Sequence, residues 1–133
     1  MARYETAATA ALNLLYLCQL AVLPFHPRDL NSIREAIAHS DVVVNCIGKY
    51  YETKHLVPTR RADGKLSRVN YDFSEVNVSI PKAIASISKE LGVPTLIHVS
   101  ALSANARSAS NWSKTKATGE DVVRETFPDA VSY

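Results

Sequence analysis

Glycine is scarce in this chain. Among its 133 residues only Gly48, Gly64, Gly92 and Gly119 are glycine, about half the usual share. No two of them stand within five residues of one another. That spacing excludes Gly-x-Gly-x-x-Gly, the P-loop and every other glycine-rich phosphate cradle on this chain. Cysteine is scarcer still. Cys18 and Cys46 make neither a disulfide framework nor a zinc pattern. Each lies in an apolar run, so both are expected to be buried, reduced thiols. His26, His39, His55 and His98 have no ligand spacing, and no metal site is expected. The charge excess is small, 15 basic against 13 acidic residues. A pI near 8.6 gives no warrant for a nucleic-acid partner. No Gly-x-Ser-x-Gly elbow surrounds any serine, which argues against a hydrolase nucleophile.

Charge is also missing from residues 6–25. The length is near the ~20 apolar residues of a membrane span, but Asn13 and Gln19 would lie within it. One arginine, Arg3, offset by Glu5, is too little for a secretory or transit signal. Residues 1–19 read as an Ala/Leu-rich leader or helical segment, its targeting role open, and residues 20–133 as one α/β domain.

What is present is a regular alternation. Residues 20–25 are a short apolar run that stops at Pro24 and Pro27, as a strand would. Asp29 is a suitable N-cap, and Leu30, Ile33, Ala36 and Ile37 recur at helical spacing, giving a helix over 29–39. Residues 41–47 are β-branched and apolar on both faces, as in a central parallel strand, and Gly48 ends them. Residues 49–71 lack periodicity and carry a turn signal at Asp63-Gly64, so they read as a solvated excursion. Arg60 and Arg61 there are solvent-facing charges before they are ligands.

Asp72 followed by Glu75 resembles a capping box. Val76, Ile80, Ile84, Ile87 and Leu91 then line one helix face, which Pro81 should kink and Gly92 should end. Residues 95–100 form a second buried strand, in which His98 is a core histidine. Residues 111–126 are a last helix with Ala117, Val122 and Val123 inward and Glu120 and Arg124 paired outside. A further strand begins at 130–133. Strands joined by helical connections specify a parallel sheet with flanking helices. Ligands of such sheets sit beyond the carboxyl ends of the strands, here near His26, Gly48 and Ser100.

Residues 39–48, HSDVVVNCIG, with 51–54, YETK, resemble the atypical short-chain dehydrogenase/reductase subunits of mitochondrial complex I, NADH:ubiquinone oxidoreductase. So do 97–105, IHVSALSAN, and 116–120, KATGE. The resemblance runs over roughly residues 20–133. It implies a partial Rossmann-like fold of the extended type and NADPH as cofactor. Its implied place is the matrix side of the mitochondrial inner membrane, peripheral to it, among other complex I subunits. Position by position, it implies Gly48 beside the nicotinamide ribose, Ser100 as the serine after the next strand, and Lys116 as a ribose-binding lysine.

The departures from the family pattern are informative. The tyrosine expected four residues before Lys116 is Trp112, and an indole has no proton to give near neutral pH. No catalytic residue is therefore assigned. His26 stands where an acidic residue would face adenine, and the 54–70 loop is long for the family. The Gly-rich turn and the first two strands should precede residue 20. The implied function is an accessory, non-catalytic subunit supporting assembly or stability near the quinone site. The alternatives are an NAD(P)-dependent reductase or epimerase, and a cofactor-free interaction fragment.

Overall fold

The computed structural model describes residues 22–52, 58–60, 66–68 and 70–132. It is an α/β arrangement with a three-stranded parallel sheet. In chain order come α1 (Leu30–Ile37), β1 (Val42–Asn45), β2 (Pro58–Arg60), β3 (Leu66–Arg68), α2 (Ile80–Glu90), β4 (Thr95–His98), α3 (Asn111–Thr126) and β5 (Val131–Ser132). The sheet order is β1-β4-β5, with β4 in the middle. Val43 lies opposite Leu96 and Asn45 opposite His98; His98 is in turn opposite Ser132.

Side chains alternate across a strand. Val43, Asn45, Leu96 and His98 therefore share one face, and α2 packs on β1 and β4 as well as on α1 and α3. Ile33, Ile37, Ile80, Ile84, Ile87, Leu96, Val123 and Phe127 close the core between them. Burying an aliphatic side chain of this size stabilises by about 1.5–3 kcal/mol each, before conformational entropy is charged against it. On the opposite face of β1, Val42 and Val44 are more than half exposed. Among the described residues β1 is thus an edge strand with one open face, not the fully covered central strand its composition suggests.

The helix ends follow local chemistry. Asp29 accepts from the amide of Asn31 at 3.0 Å and starts α1. Asp72 accepts from the amide of Glu75 at 2.6 Å. The Glu75 carboxylate does not complete the capping box; it forks onto Arg28, with one N···O distance of 2.8 Å. The Arg28 guanidinium also lies 4.0 Å from the centre of the Tyr71 ring. Gly92, at φ +69°, ends the helix in the left-handed region where a side chain is strained.

Three expectations are corrected. First, Val22 to Phe25 form no strand: Pro24 lacks a ladder donor and Val22 is 89% exposed. Residues 20 and 21 and the proposed leader lie outside the described residues. Second, the 49–71 excursion contains an antiparallel pairing, with Thr59 opposite Ser67. The expected turn at Asp63-Gly64 falls between the two strands, outside the described residues. Third, Cys46 is exposed. Alternation along β1 points Asn45 inward and carries the next side chain out. Cys18 lies outside the described residues.

The long helix is also interrupted rather than simply kinked. A π-helical turn, Glu75–Ser79, precedes α2, and the Ile80 amide donates to Glu75 O. Pro81 falls in the first turn of α2. In an unbroken α-helix residue 81 would donate to Asn77 O, and proline has no such donor. That carbonyl leans instead on α3 at Gly119, where a Cβ would come within 1.9 Å of it. The missing donor and the missing side chain meet at one contact, and they set how closely α3 approaches. Within α3, Val123 is buried, but Ala117 and Val122 are half-buried. The side chains facing inward at the start of the helix are the polar Ser113 and Lys116. No helix among the described residues is long and apolar enough to cross a membrane.

Candidate functional site

The carboxyl ends of β1 and β4 open beside the first two turns of α3. The cleft there is small, about 150 Å³, lined by Cys46, Gly48, Lys49, Tyr50, Val99, Ser100, Trp112 and Lys116. All three residues singled out in the sequence, Gly48, Ser100 and Lys116, meet in it. They come from three separate elements, so only the parallel topology unites them. His26 does not line it.

Lys116 is 6% exposed. Among the described residues it makes no hydrogen bond or ion pair. Burial pushes its amine below the ordinary lysine range, while Glu120, one turn on, pulls it back up. Gly48 leaves the room its ammonium occupies: a Cβ at that position would sit 3.1 Å from Lys116 Nζ. Ser100 Oγ is buried and has no partner among the described residues. A buried hydroxyl without an acceptor, beside the ammonium of a largely buried lysine, is costly unless something supplies oxygen atoms to it. A sugar diol, a carboxamide or a carboxylate would do so.

Below the cleft floor, His98 is 1% exposed. Asn45 Oδ1 accepts from the Ile47 amide at 3.0 Å, which fixes the orientation of the side-chain amide. Asn45 Nδ2 then points at His98 Nδ1, 3.1 Å away, so Nδ1 must be the acceptor and any ring proton sits on Nε2. Burial, first, and the nearby Lys116 charge, second, hold His98 below its ordinary pKa. Its role is structural: it anchors β1 to β4 under the site.

Trp112 is part of the wall. Its indole N–H donates to the Lys49 carbonyl at 2.7 Å. Its ring stacks on Tyr50, with centroids 5.4 Å apart and planes at 23°. Lys49 reaches the other way and donates from Nζ to the Tyr71 carbonyl. Sequence reasoning did not single out Lys49 or Tyr50. Their place directly after Gly48, just beyond the carboxyl end of β1, is the signal that could have found them.

No family model matches the chain. Individual proteins do. It is 44% identical over 113 residues to NADH dehydrogenase (ubiquinone) 1 alpha subcomplex subunit 9, mitochondrial, of Mus musculus, an alignment covering 85% of this chain and 26% of that protein. The chain is homologous to a segment of that mitochondrial subunit. The subunit of the same name in Dictyostelium discoideum is 36% identical over 111 residues, covering 84% of this chain and 26% of the relative. The 40 kDa subunit of NADH-ubiquinone oxidoreductase, mitochondrial, of Neurospora crassa is 34% identical over 111 residues, with the same coverage. The chain spans about a quarter of the length of the curated relatives it matches.

Proposed function

We propose that this chain serves as part of an accessory, non-catalytic subunit of mitochondrial NADH:ubiquinone oxidoreductase, supporting its assembly or stability on the matrix side of the inner membrane. The observation that carries this reading is the 44% identity over 85% of the chain to a mitochondrial subunit of that complex. The partners are then other subunits of the complex. The parallel sheet with α2 packed on it is read as part of a Rossmann-like domain of the atypical short-chain dehydrogenase type, over residues 20–133.

The cleft suits one end of NADPH. Ser100 is a buried donor without an acceptor, Lys116 places its ammonium in the same cleft, and Gly48 keeps the approach open beside the lysine. These residues would hold the nicotinamide ribose. Whole-ligand pockets usually measure about 300–1,000 Å³, and this cleft is about 150 Å³, so it takes one end of a dinucleotide rather than all of it. With no Gly-rich cradle among the 133 residues, the pyrophosphate has no binding turn on this chain. Bound NADPH could in principle supply a hydride. Trp112 leaves the chain without the tyrosine that the resemblance would make the usual proton donor, and its indole proton is already committed to Lys49. The same smallness favours a second reading, a cofactor-free interaction segment.

Two measurements separate these. The tagged chain, carried into mitochondria by a fused presequence, should migrate on native gels with the intact ubiquinone-reducing complex; migration elsewhere would overturn the accessory reading. Calorimetric titration with NADPH should give a weak, Lys116-dependent signal. A flat titration at millimolar NADPH leaves the cofactor-free segment.

A further inference from the structure

The segment from Gly48 to Tyr50 is tied down from several sides. The Ile47 amide before it is held by Asn45 Oδ1. Lys49 Nζ is held by the Tyr71 carbonyl. The Lys49 carbonyl is held by the Trp112 indole, and the Tyr50 ring by the Trp112 ring. Two of these ties end on the same side chain of α3, and that side chain sits one helical turn before Lys116, on the same face. Gly48, at the start of the segment, lies against the lysine amine: a Cβ there would stand 3.1 Å from Lys116 Nζ. Tyr50 is 84% exposed, so burial of its own ring does not hold the segment; the contact with Trp112 does.

We propose that Trp112 is a positioning residue: it straps the Gly48–Tyr50 segment onto α3, and the strap keeps water from the Lys116 ammonium and aims it into the cleft. The strap and the lysine are coupled through α3, because Trp112 and Lys116 are four residues apart. Other charged or titratable groups near Lys116 are Glu120 on its own helix, His98 below it on β4, and Cys46, Lys49 and Tyr50 on the β1 side of the cleft. Of these Glu120 favours the charged amine, and desolvation opposes it. Releasing the strap lets water in and removes the larger effect. The assignment deepens the reading of the cleft as a ribose site but rests on it only for its second readout.

The experiment uses the full chain with lysines isotope-labelled at Cε. The pH titration of Lys116 is followed by NMR, its signal assigned as the one lost in Lys116→Arg. Trp112→Phe keeps a stacking ring and removes the N–H donor. Gly48→Ala disturbs the same amine from the other wall, leaving Trp112 intact. The expected result is a Lys116 titration that lies below the other lysines in the parent, moves up toward them in Trp112→Phe, and stays low or drops further in Gly48→Ala, whose added methyl crowds water from the amine. Melting temperatures should stay within about 4 °C of the parent, as for loss of one hydrogen bond. NADPH affinity, where the parent binds it, should fall about tenfold in Trp112→Phe. A Lys116 titration unchanged by Trp112→Phe overturns the strap, as does a parent lysine that titrates with the others. A parent that binds no NADPH removes the ribose reading and leaves the titration to decide the strap.

Discussion

The contact between α3 and the π-helical turn sets a sharp test of the packing. An alanine at 119 would place its Cβ 1.9 Å from Asn77 O and 3.1 Å from the carbonyl carbon. Ordinary contact needs about 3.5 Å, so one element must retreat by roughly 1.5 Å. The obstacle is backbone, and Pro81 stiffens the turn that carries it, so no rotamer change relieves the clash. Overpacking of this kind costs about 1–3 kcal/mol, and the stiffness puts it at the upper end. Alanine returns about 1 kcal/mol of helix propensity. The net loss is about 2 kcal/mol. With an unfolding entropy of about 2.1 cal/mol/K per residue over a chain of about this length, 2 kcal/mol lowers Tm by about 7 °C. The assay is a thermal melt of the whole chain followed by circular dichroism at 222 nm. Gly92→Ala is the comparison: it meets nothing within 4 Å and carries only the left-handed strain of about 1 kcal/mol. A Gly119→Ala chain as stable as the parent, or less affected than Gly92→Ala, would refute the reasoning.

Other outcomes follow from the same geometry. His98 is held neutral in the fold, so the unfolded chain takes up its proton first. Stability should be complete above the unfolded histidine pKa of about 6.5 and fall as pH drops below it toward the lowered folded value; urea melts at pH 7.5 and 5.5 measure this, and a His98→Gln chain with an equal pH slope would exclude His98 as the source. Lys116→Met removes a buried, unpaired charge, so urea unfolding should show equal or higher stability while any NADPH signal disappears; clear destabilisation would mean the ammonium has a partner in solution. Asp29→Ala removes the cap of α1 and should cost about 1 kcal/mol in a chemical melt, whereas no loss would imply that the α1–α2 packing alone sets that helix end. Leu96→Ala, in the middle strand, should cost about 2–5 kcal/mol, and a loss under 1 kcal/mol would contradict its place in the core.

Where local chemistry decides, the sequence was readable. The cap at Asp29, the stop at Gly92 and the 111–126 helix need only near neighbours, and each stands where its residues indicate. The parallel order also followed, because apolar strands joined by helices leave few other arrangements. The errors lie where a distant partner decides. Residues 22–25 are apolar enough for a strand but have no ladder to join. β2 and β3 have three residues each, and only their mutual pairing makes them strands. Cys46 is apolar in context yet falls on the outward step of β1. At the site, strand ends and the family resemblance brought Gly48, Ser100 and Lys116 together on paper. The strap is not legible in the sequence, because its hydrogen bond joins residues 63 apart and no local pattern encodes such a pair.

Trp112 is the single tryptophan of the chain, and it sits at the cleft wall rather than in the core. All indole emission therefore originates at one place. A red shift of that emission at temperatures where the ellipticity is still intact would register opening of the cleft alone. Trp112 thus equips the chain with an optical probe of its own site, readable in the unlabelled protein and in any larger assembly whose other tryptophans have been replaced.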